Sequence, residues 1–172
     1  AVQEQIEIEA YVPYRSIISS LLVHGWRYED KAISFKIGYL KQQSQSYFKI
    51  KEETQSPSRW HSVIKILDEG VGRSTLPCNK LNAIVGAGKE IGRLSTLEHP
   101  CTRGHSSLGA DDFLPIFIYC VVNAGIDRPC ALCALLKHLC NYLQQIGEVG
   151  YYLSSFEATI MYIHEMDLAL AE

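Results

Sequence analysis

Gly109-Ala-Asp-Asp-Phe-Leu-Pro-Ile-Phe-Ile-Tyr-Cys-Val-Val122 is the stretch that decides the fold of this chain. Nine of the ten residues from Phe113 to Val122 are hydrophobic, and the tenth is Pro115. A helix of this composition is apolar on all sides, so other elements must surround it. Asp111 and Asp112 come directly before it. Carboxylates there either complement the helix dipole or place charge at the edge of an apolar surface that a partner meets.

Helical spacing of apolar residues recurs along the rest of the chain, and no convincing strand pattern interrupts it. Apolar residues three and four positions apart occur within 1–24, 30–40, 60–70, 79–94, 130–143 and 151–167. Asn79 is a candidate N-cap, and Pro13 marks a kink or a helix start. The polar stretch 41–58 indicates a loop. The sequence therefore predicts an all-α domain.

Length and charge exclude several functions. A chain of 172 residues suits one domain. Its net charge is -3, with 16 Lys and Arg against 19 Asp and Glu and no basic block, which argues against a nucleic-acid partner. The apolar run from Phe113 is too short to span a bilayer, and we expect membrane association only indirectly, through a partner protein or flanking domains. We expect no cofactor, and the six cysteines are interpreted as reduced thiols.

Zinc binding is the first chemical alternative. Cys130 and Cys133, with His138 and Cys140 nearby, are suitable ligand types, and they would support a zinc-dependent helical enzyme. Their spacing fits one helix face with leucines between them, so core packing is the favoured interpretation. The pair Cys101 and His105 is weaker. We expect no metal site.

Nucleotide binding and nucleophilic catalysis have little support in the sequence. Val85-Gly-Ala-Gly-Lys89 superficially suggests a phosphate loop, but the P-loop spacing is absent and the segment interrupts a helical pattern. We expect Gly86 and Gly88 to permit close approach between helices. No Gly-x-Ser-x-Gly nucleophile motif occurs.

A helical wheel separates the two acids of the opening stretch. Asp111, Pro115, Ile118 and Val122 fall on one narrow stripe, whereas Asp112 lies about 100° round the helix. With Asp111 as the N-cap, Pro115 occupies the position of the first intrahelical donor, and proline has none. The carbonyl of Asp111 therefore loses its usual partner. We expect Asp111 to be more than a dipole-complementing acid.

The last helix also has two faces. One is assigned to the core and comprises Leu153, Phe156, Ile160 and Ile163. The opposite face comprises Tyr151, Ser154, Ala158 and Tyr162. Small residues flanked by tyrosines either form the floor and wall of a groove or pack on the N-terminal helices. Both interpretations remain open on the pattern alone.

Several motifs carry a resemblance to a known family. Gly109-Ala-Asp-Asp-Phe-Leu-Pro115, then Gly147-Glu-x-Gly-Tyr-Tyr152, resembles the vacuolar-protein-sorting-nine (Vps-nine) exchange domain. Leu76-Pro-x-x-Lys-Leu-x-x-Ile84 is similar to the segment that precedes these motifs. Ile8-Glu-Ala-Tyr-Val12 and Asp30-Lys-Ala-Ile-Ser-Phe-Lys-Ile37 more weakly resemble the helical bundle ahead of the family core. The resemblance is clear over residues 60 to 167.

The resemblance implies a layered helical core over 59–172 and an N-terminal helical bundle segment over 1–58, packed as one unit. We expect the bundle to support the core, because its apolar stripes need burial. The family's aspartate finger falls on Asp111, its groove proline on Pro115 and its groove tyrosine on Tyr151. Ser154 stands at the position of a family threonine. Ile118, Val122 and Ala158 complete the expected GTPase-binding groove.

The resemblance also implies a function. Family members are guanine nucleotide exchange factors for endosomal GTPases of the Rab-five subfamily, so the expected partner is such a GTPase. The expected location is cytoplasmic and peripheral to early endosomes. Such a protein catalyses GDP release without making or breaking a bond. The alternative is a catalytically silent scaffold that binds a GTPase or a peptide through the same groove.

Overall fold

A computed structural model describes residues 2–99, 108–139 and 147–167. Within those ranges it contains α-helices and short 3-10 helices and no β-strand, so the prediction of an all-α domain is confirmed. The α-helices are α1 (Val2–Ala10), α2 (Arg15–Gly25), α3 (Arg27–Leu40), α4 (His61–Arg73), α5 (Pro77–Glu98), α6 (Ala110–Asn123), α7 (Pro129–Leu139) and α8 (Gly147–Glu165). No helix in the described part of the chain is long and apolar enough to cross a membrane.

Helix α6 is the centre of the core, as its composition predicts. It contacts α3, α4, α5 and α8. Ile116, Phe117 and Cys120 have no exposed surface. Gly125, with φ of 64°, follows the C-cap of α6 and ends the helix in a left-handed conformation. Burial of its whole circumference beyond the first turn fixes which residues of α6 remain open to solvent.

Glycines allow two close approaches in the core. A Cβ atom on Gly70 of α4 would lie 2.3 Å from the Cβ of Ala83 in α5. A Cβ on Gly88 of α5 would lie 2.1 Å from the ring of Tyr152 in α8. Close approach at Gly88 is therefore confirmed. At Gly86 the nearest atom would be 3.8 Å away, which is ordinary contact, so the same expectation is wrong there.

Residues 41–58 are more ordered than the predicted polar loop. They contain two 3-10 helices, Gln45–Phe48 and Glu52–Thr54. The amide of Gln45 receives the Ser56 backbone N–H at 3.0 Å and the Trp60 indole N–H at 2.8 Å. Phe48 is buried, and its ring meets that of Tyr119 edge to face at 5.4 Å. The segment therefore packs on α6.

The N-terminal helices reach the core through two buried acids. Glu7 of α1 accepts a hydrogen bond from the Cys78 N–H at the start of α5, at 2.9 Å. Asp30 of α3 accepts the N–H groups of Cys130 and Ala131 at the start of α7, at 2.7 and 3.3 Å. Both acids therefore cap a helix that is distant in sequence.

The expected burial of the N-terminal apolar stripes is only partly right. Ile33 of α3 is buried, but Ile17 and Leu21 of α2 are 62% and 68% exposed. Hydrophobic periodicity shows that a helix has an apolar face, whereas it does not show that another element covers that face. The division at residues 58 and 59 stays a prediction.

Helix starts differ from two further predictions. Helix α5 begins at Pro77 with Leu76 as its N-cap, and Asn79 is the third helical residue. Proline is suited to the first helical position because it lacks only a donor that the helix does not use. Helix α8 begins at Gly147 rather than near Tyr151. Cys101, His105 and Cys140 lie outside the described residues.

Candidate functional site

The site begins at the first turn of α6. Gly109 is the N-cap, with an extended backbone and no side-chain cap, and its carbonyl receives the Phe113 N–H at 2.9 Å. Asp111 is therefore the second helical residue and not the N-cap that the wheel argument considered. Extended glycine is well accepted at an N-cap, and acids in the next turn complement the helix dipole.

The two acids of this turn have different surroundings. Asp112 forms an ion pair with Lys51 at 2.7 Å, and its side chain is 26% exposed. The pair raises the pKa of the Lys51 ammonium, chiefly through the hydrogen bond to Asp112. Asp111 is exposed and forms no ion pair with any described residue. Among the described residues, the turn therefore has one carboxylate in an ion pair and one that is exposed without an ion pair.

Pro115 lies inside α6 and is half-buried. It has no N–H to donate to the carbonyl of Asp111, four residues earlier, so one hydrogen bond of the helix is missing. The sequence predicts that the Asp111 carbonyl loses this donor. The prediction holds although α6 begins at Ala110, before Asp111. The exposed tip of α6 therefore combines a carboxylate that forms no ion pair with a described residue and a backbone carbonyl that lacks its usual intrahelical donor.

Two predicted groove residues lie in the core. Ile118 is 5% exposed and Val122 has no exposed surface. The wheel correctly groups them on one side of the helix, but elements packed along α6 enclose that side after the first turn. The exposed surface of α6 near Asp111 therefore ends at about Pro115, and these two assignments are corrected.

Helix α8 presents the two faces that its sequence predicts. Leu153, Phe156, Ile160 and Ile163 are buried in the core. On the other side Tyr151 is 46% exposed and Tyr162 is 42% exposed. Ser154 and Ala158 between them are also exposed. This face, which we call the α8 surface (Tyr151, Ser154, Ala158 and Tyr162), is therefore open rather than covered by the N-terminal helices.

An aromatic cluster joins the α6 tip to the α8 surface. The ring of Phe113 lies 5.8 Å from the rings of both Tyr151 and Tyr152, and those two tyrosines lie 5.2 Å apart. Phe113 also stacks on Phe117 at 5.3 Å. Since Phe113 follows Asp112 directly, the cluster brings the acid-bearing turn close to Tyr151. The sequence motifs contain Phe113 and Tyr152, but local periodicity does not indicate that they meet.

Two contacts hold the beginning of α8 against α5. Lys89 pairs with Glu148 at 2.8 Å, and Tyr152 occupies the space that Gly88 leaves open. Lys89, considered above as part of a phosphate loop, is thus a surface lysine in the middle of a helix. Tyr151 itself contacts Phe113 of α6, and its neighbours Glu148 and Tyr152 hold this part of α8 against α5.

The cysteines of α7 have the character of packing residues. Burial raises the pKa of Cys130 to about 12 and that of Cys133 to about 11. A thiol of this kind stays protonated near neutral pH, as is typical of a buried structural cysteine. Among the residues that the structure describes, no group of three His, Cys, Asp or Glu side chains is arranged to hold a metal ion.

Within the described residues, these observations define a helical domain with an acid that has no ion pair at the exposed tip of a buried helix, next to an open face that carries tyrosines. Residues 60–168 match the family model described as the Vacuolar sorting protein 9 (VPS9) domain, and the chain belongs to this family. This confirms the resemblance in the sequence motifs. Members of the family are, in general, guanine nucleotide exchange factors for Rab GTPases.

A curated relative supports the same membership over a shorter segment. The human "VPS9 domain-containing protein 1" is 34% identical to this chain over 58 residues. That segment covers 34% of this chain and 9% of the human protein. The match therefore concerns a small part of that protein.

Proposed function

We propose that this chain accelerates GDP release from a Rab GTPase of the Rab-five subfamily, with Asp111 entering the nucleotide site. The observation that carries the proposal is the Asp111 carboxylate, which is exposed at the tip of α6 and forms no ion pair with any described residue. Its neighbour Asp112 has the same chemistry but is paired with Lys51. Family membership gives the general activity, and the resemblance of the sequence motifs together with the exposure of Asp111 supports its assignment as the finger.

The α8 surface and the α6 tip would dock the GTPase. Half-exposed tyrosines at both ends of the α8 surface offer large apolar contacts, and Ser154 and Ala158 leave room for partner side chains. Tyrosine is a frequent hot-spot residue because it buries a rigid ring and keeps a polar hydroxyl. Aromatic side chains of the GTPase switch regions suit this surface.

Docking in this way would deliver a negative charge to the bound nucleotide. GDP is held by Mg²⁺ and by a phosphate-binding lysine of the GTPase. A carboxylate there repels the β-phosphate and competes for both cations. Two unit charges 4 Å apart interact by about 4 kcal/mol at an effective dielectric constant of about 20, which corresponds to roughly a thousandfold in rate. The proposed effect is electrostatic destabilisation of the GDP complex.

A mixing assay tests the activity. Each member of a panel of Rab GTPases is loaded with fluorescent GDP, mixed with this chain and followed as the label is released. We expect release well above the intrinsic rate for the Rab-five subfamily and little change for other Rabs. Binding without acceleration would instead support the scaffold that uses the same surface. Equal acceleration across the panel would contradict the subfamily assignment.

The Tyr151→Ala variant tests the docking surface. Loss of a half-exposed interface tyrosine is expected to weaken engagement by roughly tenfold or more, seen as a higher half-saturating concentration in the release assay. Tyr14→Ala is the matched control, since Tyr14 is 60% exposed on the N-terminal helices. An unchanged half-saturating concentration for Tyr151→Ala would place the docking surface elsewhere.

The cellular location of the domain is part of the same proposal. A cytoplasmic domain that engages Rab-five subfamily GTPases would reach early endosomes through the GTPase or through flanking domains. Loss of endosomal recruitment when the GTPase is depleted would support this indirect route. Recruitment that persists without the GTPase would contradict it.

A further inference from the structure

We propose that Lys51 is a positioning residue for nucleotide exchange, because its ion pair with Asp112 fixes the first turn of α6, in which Asp111 forms no ion pair with any described residue. The inference rests on the proposed function. It assigns a role to the 41–58 segment, which the sequence patterns indicate to be a polar loop. The pair joins that segment directly to the proposed catalytic turn.

The backbone around Lys51 is held on both sides. Ile50, directly before it, is 4% exposed, and Lys51 is itself the N-cap of the 3-10 helix Glu52–Thr54. Phe48, three residues earlier, packs on Tyr119 of α6. The lysine side chain therefore extends from a fixed point rather than from a mobile loop.

The two contacts clamp the segment along one side of α6. Asp112 and Tyr119 are seven residues apart, a rise of about 10.5 Å along a helix. Phe48 and Lys51 are three residues apart, and that backbone with a lysine side chain covers a comparable distance. Phe48 meets the buried middle of the helix, and Lys51 meets its exposed tip.

The ion pair stabilises a first turn of α6 that other features weaken. Pro115 removes one hydrogen bond from this end of α6, and Gly109 offers no side-chain cap. Two adjacent carboxylates also repel each other when neither is neutralised. By pairing with Asp112, Lys51 reduces that repulsion and anchors the turn that carries Asp111.

If Lys51 acted only through its charge, its loss would change the GDP release rate in the direction opposite to that expected from a positioning role. Loss of the Lys51 charge makes the α6 tip more negative, which by itself would repel the nucleotide phosphate more strongly and speed release. Positioning instead predicts slower release, since Asp111 is held less firmly. The sign of the change therefore separates the two accounts.

The test measures GDP release at increasing concentrations of variants of this chain. We expect Lys51→Gln to lower the maximal release rate about two- to fivefold, the range of an exposed ion pair, without changing the half-saturating concentration. Lys51→Arg keeps the pair and should retain the wild-type rate. Asp112→Asn should match Lys51→Gln, and the double variant should be no slower than either single variant.

Lys49→Gln is the matched control, because Lys49 is exposed in the same segment and forms no ion pair with a described residue. An unchanged or faster rate for Lys51→Gln would overturn the inference, as would an Arg variant as slow as the Gln variant. If Asp111→Asn is inactive while Lys51→Gln is unaffected, only the positioning role fails. If Asp111→Asn keeps full activity, the finger assignment and the positioning role fail together.

Discussion

Carboxylates lie beside the starts of helices α5, α6 and α7, and the comparison turns on which element supplies the acid. Helices α5 and α7 receive theirs from the N-terminal helices, through Glu7 and Asp30. Helix α6 carries its own pair within its first turn, where Asp111 remains exposed. The same functional group therefore stabilises the fold at two helix starts and stays available at the third.

Proline explains why both buried acids meet a cysteine. Helices α5 and α7 each begin with the dipeptide Pro-Cys, at Pro77 and Pro129. Proline has no N–H, so the first available donor of each helix belongs to the following cysteine. Glu7 and Asp30 accept those donors and are only 6% and 5% exposed. Buried acids of this kind have a structural role, because their carboxylates already accept hydrogen bonds from the backbone.

Substitution of Asp111 is expected to have the largest effect. Asp111→Ala should lower the accelerated GDP release rate by up to roughly a thousandfold, the size of the charge interaction estimated for the finger. The melting temperature should change little, since Asp111 is exposed and has no ion pair within the described residues. A variant with full exchange activity would place Asp111 in the same class as the capping acids.

Asp30→Ala is expected to have the next largest effect, on stability. It leaves the N–H groups of Cys130 and Ala131 without their acceptor in a buried environment. Two such donors cost about 2–4 kcal/mol, or very roughly 5–15 °C in melting temperature for a chain of this size. Thermal unfolding followed by circular dichroism measures the change.

The exposed Asp127 is the control for Asp30. It lies just before α7, its side chain is 80% exposed, and Asp127→Ala should change stability by less than about 0.5 kcal/mol. A similar loss for both variants would mean that general charge near the helix start, rather than the buried cap, stabilises α7.

Glu7→Ala should destabilise the fold by a smaller amount. Glu7 accepts one backbone N–H, that of Cys78, and its other oxygen accepts from the side chain of Gln3. Loss of one such cap costs about 1–2 kcal/mol. Glu9→Ala on the same helix is the control, since the Glu9 carboxylate is exposed and accepts a hydrogen bond from the side chain of Gln5. Chemical denaturation measures both, and equal midpoints would contradict the capping role.

The sequence predicts the site and the fold to different extents, for physical reasons. Helical periodicity and the Gly109–Val122 composition are local properties, so they predict the helices and the burial of α6. The capping contacts could not be predicted, because Asp30 and Cys130 are 100 residues apart and the local pattern around one residue does not indicate the other. The wheel places Ile118 and Val122 with Asp111 but contains no information on which neighbours cover them.

The smallest expected effect is on the reactivity of Cys130. Burial is the main cause of its raised pKa, and the Asp30 carboxylate adds to it. Asp30→Asn removes that charge, so the pKa of Cys130 should fall and its alkylation at pH 8 to 9 should become a few times faster, because the thiolate is the reactive form. Mass spectrometry measures the modification at each cysteine separately.

Cys133 is the internal control, since burial and Glu157 raise its pKa and Asp30 is not among the causes. Faster alkylation of Cys130 alone would show that Asp30 acts as a charge at the start of α7. Equal acceleration at both cysteines would show that the variant opens the helix, in which case Asp30 contributes through its hydrogen bonds only. That outcome would sharpen the contrast with Asp111, whose proposed role depends on charge and not on any hydrogen bond within the fold.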